Sequence, residues 1–225
     1  MKCPYCNYEW IPRKPMPVSC PRCKRRFDYP SATSDPLKKA KKMERGFQRN
    51  IYVMAVLTKR LEKKGIKPVI IGGAAVEFYT RDWYATGDID LAIDKRKRKV
   101  FDEVVKKAGF IKHGRMWVRE DLNLYIETPA DIGDINMEKI TVVETDEGNA
   151  YLIGLEDIIF DRVQAAKHWE SEADKEQAIR IASLFYEDID WDYIRKNCKK
   201  AGSEKMLDVV MKEAKNEKDK LSEMD

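Results

Sequence analysis

The sequence contains no long hydrophobic run. No stretch approaches the roughly 18 uninterrupted apolar residues that span a bilayer, and the first residues, Met1-Lys2-Cys3, carry no apolar signal core. The sequence also has no internal repeat and no low-complexity tract. We therefore expect a cytoplasmic protein that does not interact with membranes.

The chain carries little net charge. Its 43 Lys and Arg residues are nearly balanced by 39 Asp and Glu residues, which leaves a net charge of +4. That value is too mild to indicate a nucleic-acid partner by itself. A charged fraction of 36%, rich in Lys and Glu, is often seen in proteins from hot environments. The basic residues are nevertheless clustered, at residues 22–26, 38–42 and 95–99.

Four of the five cysteines form two Cys-x-x-Cys pairs, Cys3 with Cys6 and Cys20 with Cys23. Each tight turn directs two thiolates at one tetrahedral ion, and two such turns supply the four sulfurs of a structural zinc site. The alternative, a thiol-redox pair, needs only one such motif. We predict a zinc ribbon over residues 1–30 whose structural Zn²⁺ has no open coordination position.

The 225 residues leave room for one ordinary domain besides this small module, and 43% hydrophobic residues suffice for a packed core. A polar connector at 31–36 precedes an α/β core over 37–153 and a helical C-terminal region over 154–225, whose last fifteen or so residues we expect to fray. In the core, hydrophobic periodicity predicts helices over 37–64, 74–79 and 95–108, and strands at 69–71, 88–93, 115–119, 122–127, 140–144 and 151–153. Helices are predicted over 155–169, 174–187, 190–200 and 203–220.

Two acidic residues, Asp88 and Asp90, alternate with apolar residues on one predicted strand, so their carboxylates point the same way. Paired carboxylates are costly without a cation between them, and Mg²⁺ favours a few carboxylates completed by water and phosphate oxygens. An Asp-x-Asp motif alone also occurs on solvated strand faces.

A second motif lies upstream, where the predicted strand at 69–71 ends in Gly72-Gly73 at the start of a helix. Glycines at such a position let backbone N–H groups approach a phosphate, and the helix N-terminus adds favourable partial charge. The order of strand, Gly-Gly, helix and Asp-x-Asp strand is more informative than either motif alone.

With the runs Ile71-Gly72-Gly73-Ala74-Ala75-Val76 and Thr86-Gly87-Asp88-Ile89-Asp90-Leu91, the sequence resembles the nucleotidyltransferases of the DNA polymerase β superfamily, over about residues 50–190. It looks closest to small toxin-type and uncharacterised prokaryotic members. The resemblance implies an α+β fold, a mixed sheet with helices, here preceded by the zinc ribbon and followed by the helical region.

The resemblance also implies a third carboxylate, which with Asp88 and Asp90 would hold two catalytic Mg²⁺ ions. The best candidate is Glu127, which alternation places opposite the apolar face of its strand, although an Asp is more usual in the family. The competitors are Asp121, Asp131 and Asp134, the last two in an expected loop. Candidate nucleotide-binding residues are Gly72, Gly73, Thr86, Arg162 and Lys167. A polar stripe on the same helix as the last two, comprising Asp157, Asp161, Gln164 and His168, is either a solvated face or a substrate contact.

The leading hypothesis is a Mg²⁺-dependent nucleotidyltransferase that moves a nucleoside monophosphate from an NTP to a hydroxyl of RNA or protein and releases pyrophosphate. The basic residues of the ribbon (Arg13, Lys14, Arg22, Lys24, Arg25 and Arg26) would help to hold the acceptor. The runner-up is a catalytically silent nucleotide-binding protein or scaffold whose ribbon docks a nucleic acid or protein. A third hypothesis makes the ribbon the main functional part, and toxin-type relatives leave room for an antitoxin-like partner.

Overall fold

The computed structural model describes residues 1–3, 6–12, 19–24 and 36–222. The chain divides into two compact units, Met1–Lys39 and Ala40–Asp225. Within the residues described, no helix is long and apolar enough to cross a membrane. The basic residues Arg13, Lys14, Arg25 and Arg26 and the connector 31–35 lie outside the described residues.

The N-terminal unit contains two similar cysteine turns. In the first, the backbone N–H of Asn7 donates to the carbonyl of Cys3 at 3.0 Å, and in the second the N–H of Lys24 donates to Cys20 at 3.0 Å. Asn7 and Lys24, each directly after the second cysteine of its pair, both adopt positive φ, 55° and 61°. This reversal folds each Cys-x-x-Cys segment back on itself, and an isolated bridge between Lys2 and Glu9 supports the first turn.

The second unit is built on one seven-stranded mixed sheet. Its strands follow the order β3-β4-β5-β2-β1-β7-β6, where β1 pairs antiparallel with β2 and parallel with β7, and β2 pairs parallel with β5. The strands are β1 (Val69–Ile71), β2 (Ile89–Ile93), β3 (Ile111–His113), β4 (Met116–Arg119), β5 (Leu124–Asp131), β6 (Thr141–Thr145) and β7 (Gly148–Leu152).

Four helices precede or interrupt the sheet and four follow it. They are α1 (Leu37–Ala40), α2 (Phe47–Glu62), α3 (Gly72–Tyr79), α4 (Arg98–Lys107), α5 (Leu155–His168), α6 (Glu172–Leu184), α7 (Trp191–Lys200) and α8 (Glu204–Ser222). α2 packs on β7, α3 and α4, whereas α5 packs on α6, α7 and α8 and also contacts α3. The expected mixed sheet and helical C-terminal region are therefore confirmed.

The structure differs from the predicted elements in four places. The predicted helix 37–64 is interrupted between α1 and α2, where Gly46 has φ +140°. β3 was not predicted. β5 continues through Pro129 to Asp131, because the register with β2 shifts between Asp90 and Ala92 and this bulge tolerates a residue without an N–H donor. α8 extends to Ser222 because Leu207, Val210 and Ala214 bury one face of it.

Candidate active site

The three predicted catalytic carboxylates, Asp88, Asp90 and Glu127, lie on or directly before two adjacent strands, β2 and β5, and we call them the carboxylate row. Across the β1–β2 pair Ile71 is the partner of Asp90, and across the β2–β5 pair Asp90 is the partner of Glu127. Asp88 precedes β2 by one residue and is half-buried like the other two. The sheet therefore places Asp90 and Glu127 side by side, next to the strand end from which the Gly72-Gly73 turn departs.

The negative charges of this row act on one another. Burial is the largest influence that raises the pKa of Asp90, to about 6. The charges of Asp88 and Glu127 add to the rise, and the charge of Arg162 opposes it. Glu127 accepts an ion pair from the exposed Arg115 at 3.3 Å. A carboxylate row that repels its own charge in this way favours the binding of a cation.

The Gly72-Gly73 turn is packed too tightly for larger residues. Gly72 has φ +60°, and a Cβ added there would lie 2.8 Å from Oδ2 of Asp90. A Cβ on Gly73 would lie 3.0 Å from Oγ1 of Thr86, whose hydroxyl donates to Oδ1 of Asp88 at 3.0 Å. α3 starts at Gly72 and no side chain caps it. Its first N–H groups therefore make no hydrogen bond to a capping side chain and remain available to a phosphate oxygen.

We expect Gly72→Ala to destabilise the protein by roughly 2–4 kcal/mol, from left-handed strain plus the close contact with Asp90. Gly114→Ala is the matched control, because Gly114 also has φ +60° but nothing lies within 4 Å of an added Cβ. Urea unfolding of both variants measures the difference. Equal losses of stability would show that the contact between Gly72 and Asp90 contributes nothing.

A cleft of about 570 Å³ opens from the carboxylate row toward the C-terminal helices. Gly72 and Asp90 line it from the sheet side, and Asp157 and Arg162 line it from α5. Its far wall is polar: Tyr193 of α7 donates its hydroxyl to Oδ1 of Asp157 at 2.7 Å. Burial raises the pKa of Asp157, and its Oδ2 is buried without a hydrogen-bond partner in the structure as described.

Of the two predicted cationic contacts, the structure brings one into the cleft. Arg162 lines it and donates to Asp174 at 2.7 Å and to Asp161. Lys167 instead donates to the carbonyl of Gly202 at 2.7 Å and is not among the lining residues. From the polar stripe on α5, Asp157, Asp161 and Gln164 line the cleft, whereas His168 is exposed and does not.

Two of the competing acids, Asp131 and Asp121, make hydrogen bonds outside the carboxylate row. Asp131 accepts from the N–H groups of Gly133 and Lys95, at 2.9 and 3.3 Å. Asp121 accepts from Nε of Arg119 at 3.1 Å. Asp134 lies in a short 3₁₀ turn and lines the cleft. Asp131 is part of β5 rather than of the expected loop.

The four N-terminal cysteines form a tight cluster. Within the parts of the chain that the structure describes, theirs is the one group of three or more His, Cys, Asp or Glu side chains whose ligand atoms all lie within 4.8 Å of one another. Sγ atoms are 3.8 Å apart between Cys3 and Cys23, and 3.7 Å between Cys6 and Cys20. Tetrahedral zinc with bonds of about 2.3 Å would space its sulfurs by about 3.8 Å. The cluster fits a zinc ribbon.

The electrostatics of the cluster also suit a metal. Burial opposes ionisation of the Cys20 thiol, but the backbone N–H groups of Cys23 and Arg22 and the side chains of Cys3 and Cys23 together lower the pKa of Cys20 to about 6. Despite a backbone hydrogen bond that lowers it, burial and the neighbouring thiols raise the pKa of Cys6 to about 11, so the metal-free cluster favours ionisation at Cys20 rather than at every cysteine. The N–H of Cys23 lies 3.4 Å from Sγ of Cys20. Such N–H groups stabilise the thiolate, which is the form that binds zinc.

Comparison with known protein families decides the class of the larger unit. Residues 50–199 match the model of a family described as "Nucleotidyl transferase of unknown function (DUF2204)". The chain belongs to this nucleotidyl transferase family. The match contains the Gly-Gly turn, the carboxylate row and helices α5 to α7, and the expected enzyme class is confirmed.

This nucleotidyl transferase is also similar to solved structures. An antigenic nucleotidyltransferase-like protein from Paracoccidioides brasiliensis is 18% identical, with a TM-score of 0.48 over 80% of this chain and 93% of that one. The antibiotic-resistance factor ANT(2'')-Ia in solution is 15% identical, with a TM-score of 0.40 over 75% and 92%. ANT(2'')-Ia in complex with adenylyl-2''-tobramycin is 14% identical, with a TM-score of 0.42 over 72% and 94%. A search of curated proteins gave no match.

Sequence reasoning missed three side chains around the site of this nucleotidyl transferase. Arg115, in the turn between β3 and β4, reaches Glu127. Tyr193 and Asn136 complete the polar wall, where Nδ2 of Asn136 donates to the Tyr193 hydroxyl at 3.2 Å. Tyr193 reaches the cleft because α7 packs on α5. Arg115 directly precedes β4, whose pairing with β5 brings it near Glu127. No local pattern in the sequence signals either contact.

Proposed function

We propose that the protein is a Mg²⁺-dependent nucleotidyltransferase that transfers a nucleoside monophosphate from an NTP to a hydroxyl of RNA or protein, with release of pyrophosphate. The observation that carries the proposal is the pairing of Asp90 with Glu127 across β2 and β5, with Asp88 and the Gly72-Gly73 turn beside them. The family match supports nucleotidyl transfer in general. The metal, the donor and the acceptor belong to the proposal.

The donor set suits magnesium. Asp88, Asp90 and Glu127 offer carboxylate oxygens, which hard cations prefer, and a cation would offset the charges of Asp88 and Glu127 that, besides burial, raise the pKa of Asp90. The same three residues would hold two Mg²⁺ ions. When bound, Mg²⁺ neutralises charge on the triphosphate and lowers the pKa of the attacking hydroxyl.

The chain itself supplies positioning and proton transfer. The N–H groups at Gly72 and Gly73 hold the β and γ phosphates, and Arg162 faces them from α5. Glu127, or a carboxylate beside it, accepts the proton of the acceptor hydroxyl. The hydroxyl oxygen forms a bond to the α-phosphorus in line with the departing oxygen, and the bond to the β phosphate breaks to release pyrophosphate.

Calorimetric titration with an NTP analogue that cannot be cleaved between the α and β phosphorus atoms tests the site assignment. We expect binding that requires Mg²⁺ and weakens in Asp88→Asn. Glu144→Gln serves as the control, because Glu144 is an exposed carboxylate on β6. If the wild-type protein binds no NTP with Mg²⁺ present, the proposed function is wrong.

We expect Arg162→Gln to raise the KM for NTP about tenfold, since a charged hydrogen bond to phosphate contributes roughly 1.5–3 kcal/mol. Lys167→Gln should leave the KM unchanged, because the Lys167 ammonium is held by the Gly202 carbonyl. Thermal unfolding of each variant controls for the loss of the pairs that Arg162 makes with Asp161 and Asp174. Equal changes in KM for Arg162→Gln and Lys167→Gln would indicate that Lys167 also contacts the nucleotide.

The runner-up function is a catalytically silent nucleotide-binding protein or scaffold. The observation that favours it is Glu127, which stands where the resemblance leads one to expect Asp and which is engaged by Arg115. Such a protein would bind the NTP analogue as described but would not turn over NTP.

We propose a structural role for the N-terminal unit, with one Zn²⁺ held by Cys3, Cys6, Cys20 and Cys23. Of the basic residues assigned to acceptor binding, the structure describes Arg22 and Lys24. An antitoxin-like partner and a cytoplasmic location remain predictions.

A further inference from the structure

A second pocket lies at the N-terminus of α2, beside the carboxylate row. It measures about 80 Å³, and one of its lining residues, Gly87, directly precedes Asp88. Water occupies about 30 Å³ per molecule in the liquid, so the pocket has room for a small ion. We call it the arginine pocket and define it by six of its lining residues, Arg45, Arg49, Asn50, Thr86, Gly87 and Tyr125.

Arg49 is an unusual residue for its position. Its side chain lines the arginine pocket although the residue is only 5% exposed, and its Nε and Nη2 are buried without a hydrogen-bond partner in the part of the chain that the structure describes. Burial and the nearby charge of Arg45 both lower the pKa of Arg49. Burying a guanidinium whose N–H groups make no hydrogen bonds destabilises the folded protein by several kcal/mol, unless an anion or another acceptor binds it.

The surroundings of Arg49 are also electropositive. The first turn of α2 contains no acidic residue. Arg49 therefore adds positive charge at the end of the helix where the dipole is already positive. Among the described residues, no carboxylate forms an ion pair with Arg45 or Arg49. Exchanging the amide oxygen and nitrogen of Asn123 would let its oxygen accept from both terminal nitrogens of Arg45, at 3.0 and 3.2 Å.

Two acids that contact lining residues of the pocket, Asp82 and Glu77, accept hydrogen bonds from groups other than Arg49. Oδ1 of Asp82 accepts from the N–H of Phe47 at 3.2 Å, and Glu77 accepts from Nδ2 of Asn50 at 3.1 Å. Burial raises the pKa of Glu77, as does the charge of Asp82. The positive charge of the arginine pocket is therefore available to an anionic ligand.

We propose that the arginine pocket binds a phosphate group. The pocket combines two guanidinium groups with the positive end of α2, and its volume of about 80 Å³ has room for a small oxyanion. The pocket is separate from the Gly72-Gly73 turn and adjoins Asp88. The phosphate comes either from the triphosphate of the donor or from the backbone of an RNA acceptor, and the second source rests on the proposed function.

Thermal unfolding of the full zinc-loaded chain, titrated with inorganic phosphate at constant ionic strength without Mg²⁺ or NTP, tests the site. We expect a saturable rise in Tm that acetate and chloride do not produce. Arg49→Met should abolish this rise while increasing the Tm in chloride, because a buried unpaired charge is removed. Arg45→Gln, at an exposed position, should raise the Kd for phosphate about tenfold, and Arg60→Gln on the last turn of α2 should not change it.

A wild-type protein that phosphate stabilises no more than acetate would overturn the proposal, as would an unchanged phosphate response in both arginine pocket variants. Because this experiment contains no nucleotide, its failure leaves the proposed reaction untouched. A second pair of titrations identifies the source of the phosphate. If Arg49→Met weakens binding of the uncleavable NTP analogue, the donor supplies the phosphate. If it instead weakens binding of a short single-stranded RNA, the acceptor supplies it.

Discussion

Asp90→Asn should reduce nucleotidyl transfer by roughly 10³-fold or more and, in Mg²⁺-free buffer, make the protein more stable. The rate falls because the proposed function assigns this carboxylate to Mg²⁺ binding, and a metal ion contributes several kcal/mol to such transition states. Stability rises because the substitution removes a half-buried charge next to Asp88 and Glu127. Initial rates and urea unfolding of the same preparations measure both effects.

The gain in stability should depend on pH. The pKa of Asp90 in the folded chain, about 6, lies above its unfolded value. The folded state therefore binds more protons, so the wild-type protein loses stability as pH rises from about 4 through 6. We expect Asp90→Asn to gain about 1–2 kcal/mol at pH 7.5 and little at pH 4. Asp146→Asn, in the exposed turn between β6 and β7, is the control. A loss of stability at pH 7.5 would contradict the electrostatic account.

Cys20→Ser should release the zinc ion and unfold the N-terminal unit. A structural zinc site contributes about 10–16 kcal/mol of apparent binding free energy to a module of this size, and loss of one thiolate leaves an incomplete tetrahedron. Elemental analysis should find one zinc per wild-type chain and almost none in the variant. NTP binding by the larger unit should persist, because residues 40–225 form their own compact unit.

The fifth cysteine provides the control for this experiment. Cys198 is fully buried in α7, and Cys198→Ala should therefore keep the full zinc content. Zinc retained by Cys20→Ser, or lost from Cys198→Ala, would disprove the assignment of the four-cysteine cluster.

The chemistry of the site could be predicted from the sequence more completely than its geometry. Strand alternation places Asp88 and Asp90 on one face, and the Gly72-Gly73 turn follows from a short buried strand that runs into a helix. The pairing of Asp90 with Glu127 could not be predicted, because it depends on β5 lying parallel to β2. Nothing in the spacing of the two segments determines that they are neighbours.

Other features could not be predicted because long-range packing overrides the local signal. Pro129 indicates the end of a strand, yet a bulge accommodates it inside β5. The last fifteen or so residues are predicted to fray, yet α8 continues to Ser222, with Leu207, Val210 and Ala214 buried on one face. Arg49 lies inside the predicted helix 37–64, and only the fold shows that its side chain is buried.

The most direct measurement of the central claim is a transfer assay with two labels. Each NTP, labelled either at the α or at the γ phosphate, is incubated with zinc-loaded protein, Mg²⁺ and total RNA, beside an Asp88→Ala/Asp90→Ala double variant. We predict that α label alone becomes attached to RNA or protein, that γ label appears in pyrophosphate, and that the double variant shows neither. NTP binding without transfer of α label would contradict the enzymatic account and support the silent nucleotide-binding protein.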